Sequence, residues 1–237
     1  AAGVGRPLPH RPTGRYADTL PRPSPRTRSQ PPMPTDPAQL AALRAAVGGD
    51  LLRFAPELLV AGGVLLLLLA RLVPALDRAH LGWLSLAAAV GQWPAGPVGS
   101  GAAFTGLLAL DGLALYLRVL LLLFALLLLA LCQLTGLPDR DDSADFGVLL
   151  LGALLGMLLM ASANHLLMAF VGVEMASLPS YALAGFLKGR KTGSEAALKY
   201  AVYGAAAAGV MLYGISLLTA AFGTGHPPAV ADGLAAV

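Results

Sequence analysis

The sequence predicts an all-α membrane protein with six transmembrane helices and a disordered N-terminal tail. Of its 237 residues, 57% are hydrophobic and only 12% are charged, whereas an ordinary soluble domain carries about 25% charged residues. The hydrophobic residues form runs of the length that a helix needs to cross about 30 Å of hydrocarbon. A chain of this composition cannot cover a water-facing surface, so a soluble domain is excluded.

The N-terminal tail, residues 1–37, differs in composition from the rest of the chain. It holds ten of the 18 prolines and six arginines against two aspartates. Such a segment cannot bury enough apolar surface to offset its ordering entropy, so we expect it to be disordered. The basic charge of the chain comes from this tail, so it does not indicate nucleic-acid binding by the body. Met33 is the expected natural start.

The predicted elements follow in order along the chain. Residues 38–53 form a short interfacial segment, with a helix over Gln39–Val47, and residues 54–225 form the six-helix bundle. Residues 226–237 are expected to be the end of a truncated chain. The apolar runs place the spans at Phe54–Leu76, Leu81–Val98, Leu107–Leu134, two within Phe146–Leu187 separated by a polar turn at Ser162–His165, and Ser194–Phe222.

The loop charges predict the orientation of these spans. Lysines and arginines occur in the odd-numbered loops and are missing from the loops between spans two and three and between spans four and five. Since cytoplasmic loops are rich in these residues, we expect the odd-numbered loops in the cytoplasm and the N-terminus outside.

Glu174 is the strongest candidate functional residue. It lies eight residues after Leu166 in the fifth span, about 12 Å along a helix, so its short side chain cannot reach the interface. An ionisable group at this depth is costly and is a functional candidate by default. Pro179 follows five residues later and frees a backbone carbonyl, which favours a bend or a bound water. The alternative is a protonated glutamic acid that only packs against a neighbouring helix.

Lys199 is the second candidate, five residues after Ser194 in the sixth span. Facing inward, it would influence the proton affinity of Glu174. Alternatively, its stem reaches the membrane surface and it pairs with Glu195, four residues earlier.

Three further ionisable residues are possible accessory sites. Asp111 and Arg118 are seven residues apart on the third span and share a face, and a structural charge pair with another helix is favoured over a transport role. His165, in the turn between spans four and five, is interpreted as an interfacial residue.

No feature of the sequence indicates a cofactor held by this chain. Cys132 is the only cysteine, no Cys/His cluster has metal-ligand spacing, and no glycine-rich dinucleotide motif follows a strand. We therefore expect neither a metal nor a redox centre here.

Two segments carry a family resemblance. SANHLLMAFVGVEMASLPSYALAGFL at Ser162–Leu187 and EAALKY at Glu195–Tyr200 resemble subunit N of proton-pumping NADH:quinone oxidoreductase, respiratory complex I. FAPELLVAGGVLLLL at Phe54–Leu68 and DGLALYLRVLLLL at Asp111–Leu123 support the resemblance, which covers roughly residues 54–225.

The resemblance implies the N-terminal part of an antiporter-like fold of about fourteen helices, by analogy with the family. It implies proton-transfer roles for Glu174 and Lys199 and a position in the membrane arm, in a bacterial inner membrane, beside other membrane subunits. FMN, iron–sulfur clusters and quinone would be bound by those partners. Asn164–His165 departs from the Asn–Asp pair usual in the family. Two other functions remain open: a subunit of a cation/proton antiporter or membrane-bound hydrogenase, and a non-transporting membrane scaffold.

Overall fold

The structure is a computed structural model that describes residues 37–71, 101–135, 143–187 and 191–235. It contains the helices α1 (Pro37–Arg53), α2 (Ala55–Arg71), α3 (Gly112–Thr135), α4 (Ser143–Ala161), α5 (Leu166–Ala184), α6 (Lys191–Phe222) and α7 (Pro227–Ala235), and the strands β1 (Gly101–Ala103) and β2 (Leu108–Leu110). The predicted tail, the start at Met33 and the second predicted span lie outside these residues.

Contacts divide the chain between residues 42 and 43. Of the first unit, the structure describes only residues 37–42, which are helical. The second unit begins at Leu43 and is described up to residue 235.

Helices α1 and α2 meet at a sharp bend. Their adjoining parts, Val47–Arg53 and Ala55–Leu69, differ in direction by 73°. The bend lies at Phe54, two residues before Pro56, which the first turn of a helix tolerates because it needs no N–H there. The interfacial helix predicted at Gln39–Val47 corresponds to α1, which is longer than expected and covers Pro37–Arg53. The first predicted span, Phe54–Leu76, corresponds to α2 and is helical from Ala55 to Arg71.

A β-hairpin precedes α3, where the sequence predicted the start of a transmembrane helix. β1 pairs antiparallel with β2, and the turn between them has positive φ at Phe104, Thr105 and Gly106, a region that only glycine adopts freely. The amide of Ala114 donates to the carboxylate of Asp111 at 2.7 Å, so Asp111 caps α3. The predicted third span, Leu107–Leu134, thus began too early: Leu107 belongs to the turn, and Leu108–Leu110 form a strand.

The hairpin joins several elements at one end of the bundle, here called the hairpin end. The amide of Ala109 donates to the carbonyl of Ser162 in the α4–α5 turn, and that of Leu166 donates to Gly225 after α6, both at 2.8 Å. The amide of Phe104 donates to the carboxylate of Asp50 in α1. The hairpin, the α4–α5 turn and the ends of α1 and α6 therefore meet, as expected for antiparallel helices joined by short connections.

Helix α4 is the centre of the apolar core and packs against α2, α3 and α5. The core side chains are largely leucines of three helices: Val60 and Leu67 of α2, Leu122, Ala125 and Leu129 of α3, and Leu150, Leu151, Leu154 and Leu158 of α4. Helix α6 has no buried residue among those described. Its apolar side chains, such as Val210, are exposed in this chain, which suits a surface facing lipid or further helices.

The length and composition of the described helices bear on the predicted number of spans. Three are long and apolar enough to cross a membrane, or four if the bent α1–α2 pair counts as one span. They are α3, α5 and α6, which correspond to the third, fifth and sixth predicted spans. Helix α4 matches the fourth predicted span in position, but its apolar part, Asp145–Ala161, is shorter than the other three spans. The predicted count of six is therefore matched only in part by the described residues.

Helices α4 and α5 pack with their backbones close together. A Cβ at Gly156 would meet the backbone of Met175 and Ala176, and one at Gly172 would meet the backbone of Met160. In lipid, helices associate through close packing, and small residues permit it. This pair of glycines fixes α5, and with it Glu174, against the core helix.

We expect Gly156→Val to destabilise the bundle, because backbone atoms of α5 leave no room for the added side chain. Overpacking of this kind costs about 1–3 kcal/mol, which thermal unfolding in detergent would report as a lower midpoint. Gly62→Val is the matched control, since nothing lies within 4 Å of a Cβ at Gly62. Equal midpoints for the two variants would contradict this account of the α4–α5 contact.

Candidate functional site

A buried ion pair joins α2 and α3. Nη2 of Arg118 contacts Oε1 of Glu57, and the two side chains are 5% and 0% exposed. The sequence predicted a charge pair between Arg118 and another helix, and Glu57 is that partner. Sequence reasoning missed Glu57, although a carboxylate inside the first predicted span was a sufficient signal.

The pair is incompletely hydrogen-bonded. Beyond the Nη2–Oε1 contact, Oε2 of Glu57 and Nε of Arg118 have no hydrogen-bond partner among the described residues. Arginine and carboxylate groups often form two parallel bonds, but here one carboxylate oxygen is left over. Buried polar atoms without partners are costly and call for a specific explanation, such as a bound water or a functional role.

Glu174 lies in the middle of α5 and is half-buried. Among the described residues it forms no ion pair, and the side chains near it along the helix are apolar except for Ser177. The hydroxyl of Ser177 donates to the carbonyl of Val173 at 2.7 Å. Helix α5 continues through Pro179 without a break. The structure thus places a carboxyl within a candidate membrane span and places no cation beside it.

Lys199 pairs with Glu195 instead of Glu174. The Nζ–Oε1 distance is 2.5 Å, and both side chains are more than 60% exposed, which is the surface pairing that the sequence offered as the alternative. The hydroxyls of Ser180 and Tyr200 lie 3.3 Å apart and set the α5–α6 register. Glu174 is six residues before Ser180, and Lys199 is one residue before Tyr200 on the antiparallel α6, so Lys199 and Glu174 are separated by about 10 Å along the helix axis.

The two other accessory candidates lie at the hairpin end. Asp111 caps α3, as described above, and its side chain is exposed. Nδ1 of His165 accepts a hydrogen bond from the amide of Leu167 at 3.2 Å, so His165 caps α5. Its ring packs edge to face against His226, at 4.9 Å between centroids, and Nδ1 of His226 lies 3.0 Å from the carbonyl of Asn164. Asp111 and His165 therefore each stabilise the start of a helix.

The candidate residues do not form a single site but lie at separate positions. Glu57 and Arg118 are together, His165 is with His226 at the hairpin end, and Glu174 is apart from all of them. No group of three or more His, Cys, Asp or Glu side chains suitable for a metal occurs within the four described ranges.

Comparisons with known proteins bear on the family. A family model described as "NADH:quinone oxidoreductase/Mrp antiporter, TM" matches residues 163–232, which include α5 and α6. NADH-quinone oxidoreductase subunit N of Anaeromyxobacter sp. (strain Fw109-5) is 38% identical over 178 residues, 72% of this chain and 34% of that protein. The same subunit of Rhizorhabdus wittichii is 38% identical over 187 residues, 76% of this chain and 38% of that protein.

A solved structure also resembles this chain in fold. One chain of respiratory complex I from Thermus thermophilus, determined with bound aureothin, superposes with a TM-score of 0.60 at 35% identity. The match covers 72% of this chain and 38% of that one. The chain is a homologue of NADH-quinone oxidoreductase subunit N. The predicted family is confirmed, and the chain spans little more than a third of the length of the subunit N proteins it matches.

We expect Arg118→Met to be strongly destabilising in this subunit N homologue, because it leaves the Glu57 carboxylate buried without its cation. Breaking a buried pair from one side costs about 3–5 kcal/mol, whereas replacing both partners by apolar residues is often tolerated. The double variant Glu57→Met/Arg118→Met should therefore unfold at a higher temperature than Arg118→Met alone. Thermal unfolding in detergent measures both, and a double variant less stable than the single one would contradict this.

Proposed function

We propose that the chain is part of the membrane arm of a proton-translocating NADH:quinone oxidoreductase in a bacterial inner membrane. Its helices contribute to proton transfer through ionisable side chains, coupled to electron transfer in partner subunits. FMN, iron–sulfur clusters and quinone belong to those partners in this proposal, and the chain itself carries no redox centre. The homologues named above and the complex I structure support the assignment to this complex.

The position of Glu174 is the observation that carries the proposed mechanism. The residue lies within the segment matched by the family model, in a helix apolar and long enough to span a membrane, and no cation is paired with it among the described residues. Burial and a neighbouring charge act in opposite directions on a carboxyl group. A change of charge in an adjacent subunit would therefore shift the balance between its protonated and ionised states.

Transfer between Glu174 and Lys199 requires an intermediate. The separation of about 10 Å along the axis is too long for a direct hydrogen bond. Ser177 lies one turn from Glu174 towards Lys199, and the hydroxyls of Ser180 and Tyr200 lie another turn on. We propose that water joins these hydroxyls to the two ionisable groups, and that Lys199 leaves its surface pair with Glu195 when it takes part.

A cation/proton antiporter subunit is the second candidate function. It is favoured by the description of the matching family model, which names the Mrp antiporter beside the oxidoreductase. Pumping that required Na⁺ and continued in the absence of NADH oxidation would support this alternative.

We expect Glu174→Gln to abolish most proton translocation, because glutamine retains the shape of the side chain but cannot bind and release a proton. The measurement is NADH-driven proton uptake by inside-out vesicles that hold the complete complex, and the loss should be about a hundredfold or more, the lower end of the range for general acid–base effects. Asp232→Asn, at an exposed carboxyl of α7, is the matched control. Normal pumping by Glu174→Gln would favour the scaffold interpretation.

Lys199→Met should lower proton uptake in the same vesicles while leaving assembly of the complex unchanged. The reason is that the exposed pair with Glu195 contributes at most about 1 kcal/mol to stability, so any large effect must come from transport. Native gels report the assembly, and Lys191→Met, at the exposed start of the same helix, controls for loss of a surface lysine. Unchanged pumping would show that Lys199 serves only as a surface ion-pair partner.

A further inference from the structure

The Glu57–Arg118 pair is the most deeply buried charged group among the described residues. It lies outside residues 163–232, which the family model matches, and it shares no contact with Glu174. Helix α4 packs against both α2 and α3, yet its sequence from Phe146 to Ala161 contains no charged or amide side chain. The two charges therefore depend on each other for compensation.

The geometry of the pair differs from that of a purely structural ion pair. An arginine–carboxylate pair is most stable when the guanidinium and the carboxylate form two parallel hydrogen bonds. Here the contact joins one nitrogen and one oxygen, and Oε2 of Glu57 and Nε of Arg118 are buried without partners among the described residues. The unpartnered Oε2 is the atom at which a water or a proton can bind.

The free energy of such a pair differs little between the ionised pair and the state in which Glu57 is protonated. Removing both ions from water costs several kcal/mol each, and their attraction repays this only when the geometry is excellent and the remaining polar atoms are hydrogen-bonded. Neither condition holds here. The ionised pair and the state with a protonated Glu57 are therefore closer in free energy than they would be for a fully bonded pair.

Two acidic residues lie at the hairpin end, near the starts of the helices α2 and α3 that carry the pair. Asp111 is exposed at the start of α3 and lies seven residues before Arg118, on the same face and about 10 Å away along the axis. Asp50 is held at the same end through its bond from the Phe104 amide. The negative charge of these two carboxylates attracts hydrated protons to this end of the bundle.

We propose that Glu57 is a second proton-binding residue of the transport process, with Arg118 as the residue that positions it; this rests on the proposed function. A hydronium ion at the hairpin end gives its proton to Oε2 of Glu57 and becomes water. The carboxylate becomes a neutral carboxylic acid, the guanidinium stays protonated, and the charge attraction between the two side chains is lost. The reverse step returns the proton to water and restores the ion pair.

The first experiment compares Glu57→Met/Arg118→Met with Glu174→Gln in the complete complex. The double variant removes both charges, so it avoids an unpaired buried ion, and native gels report its assembly. We expect it to assemble and to lower NADH-driven proton uptake at least tenfold, while Leu65→Met, on an exposed part of α2, leaves uptake unchanged. Normal pumping by the assembled double variant would overturn the proposal and leave a structural pair.

A second measurement decides the matter if the double variant does not assemble. Glu57→Asp keeps a carboxyl group and the ion pair, and infrared difference spectra of the complex in turnover report protonated carboxyl groups. We expect a carboxylic-acid band that shifts in Glu57→Asp relative to the unmodified complex. Identical spectra would overturn the proposal. Loss of pumping in Glu174→Gln together with either negative result would leave the proposed function standing, whereas normal pumping in Glu174→Gln would count against the proposed function itself.

Discussion

A charge inside hydrocarbon has no water to stabilise it, and this constraint governs the arrangement of the bundle. The protein itself must compensate every ionisable group that its helices carry into the membrane. The described residues meet the constraint in three ways. Glu57 and Arg118 compensate each other between α2 and α3, Lys199 and Glu195 pair at an exposed position, and Asp111 accepts a backbone N–H at a helix start. Glu174 is the exception, because none of the described residues forms such a pair with it, and the proposed proton-transfer role rests on this observation.

The apolar core makes this exception possible. Helix α4 contributes leucines towards α2 and α3 and, on another side, the glycine contact that brings α5 close. The position of Glu174 thus depends on packing by van der Waals contact, since lipid gives helices no hydrophobic reason to associate. The hairpin end adds backbone hydrogen bonds between segments distant in sequence, which fix the starts of α3 and α5.

Several features were predictable from the sequence because their cause is local. The turn between α4 and α5 follows from Ser162, Asn164 and His165 interrupting a long apolar run, and α6 ends where Gly223 and Pro227 appear. The surface pairing of Lys199 with Glu195 follows from helical spacing. The hairpin was missed, because Leu107–Leu110 is as apolar as α3 and its strand pairing depends on Ser162 and Asp50, far along the chain. The pairing of Glu57 with Arg118 was unpredictable for the same reason, because the two residues lie on different helices, although Glu57 itself was visible as a carboxylate within the first predicted span. The separation of Glu174 from Lys199 depends on the α5–α6 register, which no local pattern specifies.

The most direct test of the central claim is chemical modification of Glu174 in the complete complex. A hydrophobic carbodiimide reacts with protonated carboxyl groups in apolar surroundings, and mass spectrometry of the digested subunit locates the adduct. If Glu174 binds and releases protons within the membrane, the adduct forms at this residue, its yield changes when NADH drives turnover, and proton uptake falls in proportion to the yield. Modification that leaves proton uptake intact, or a Glu174 that never reacts while uptake is lost through another residue, would contradict the account.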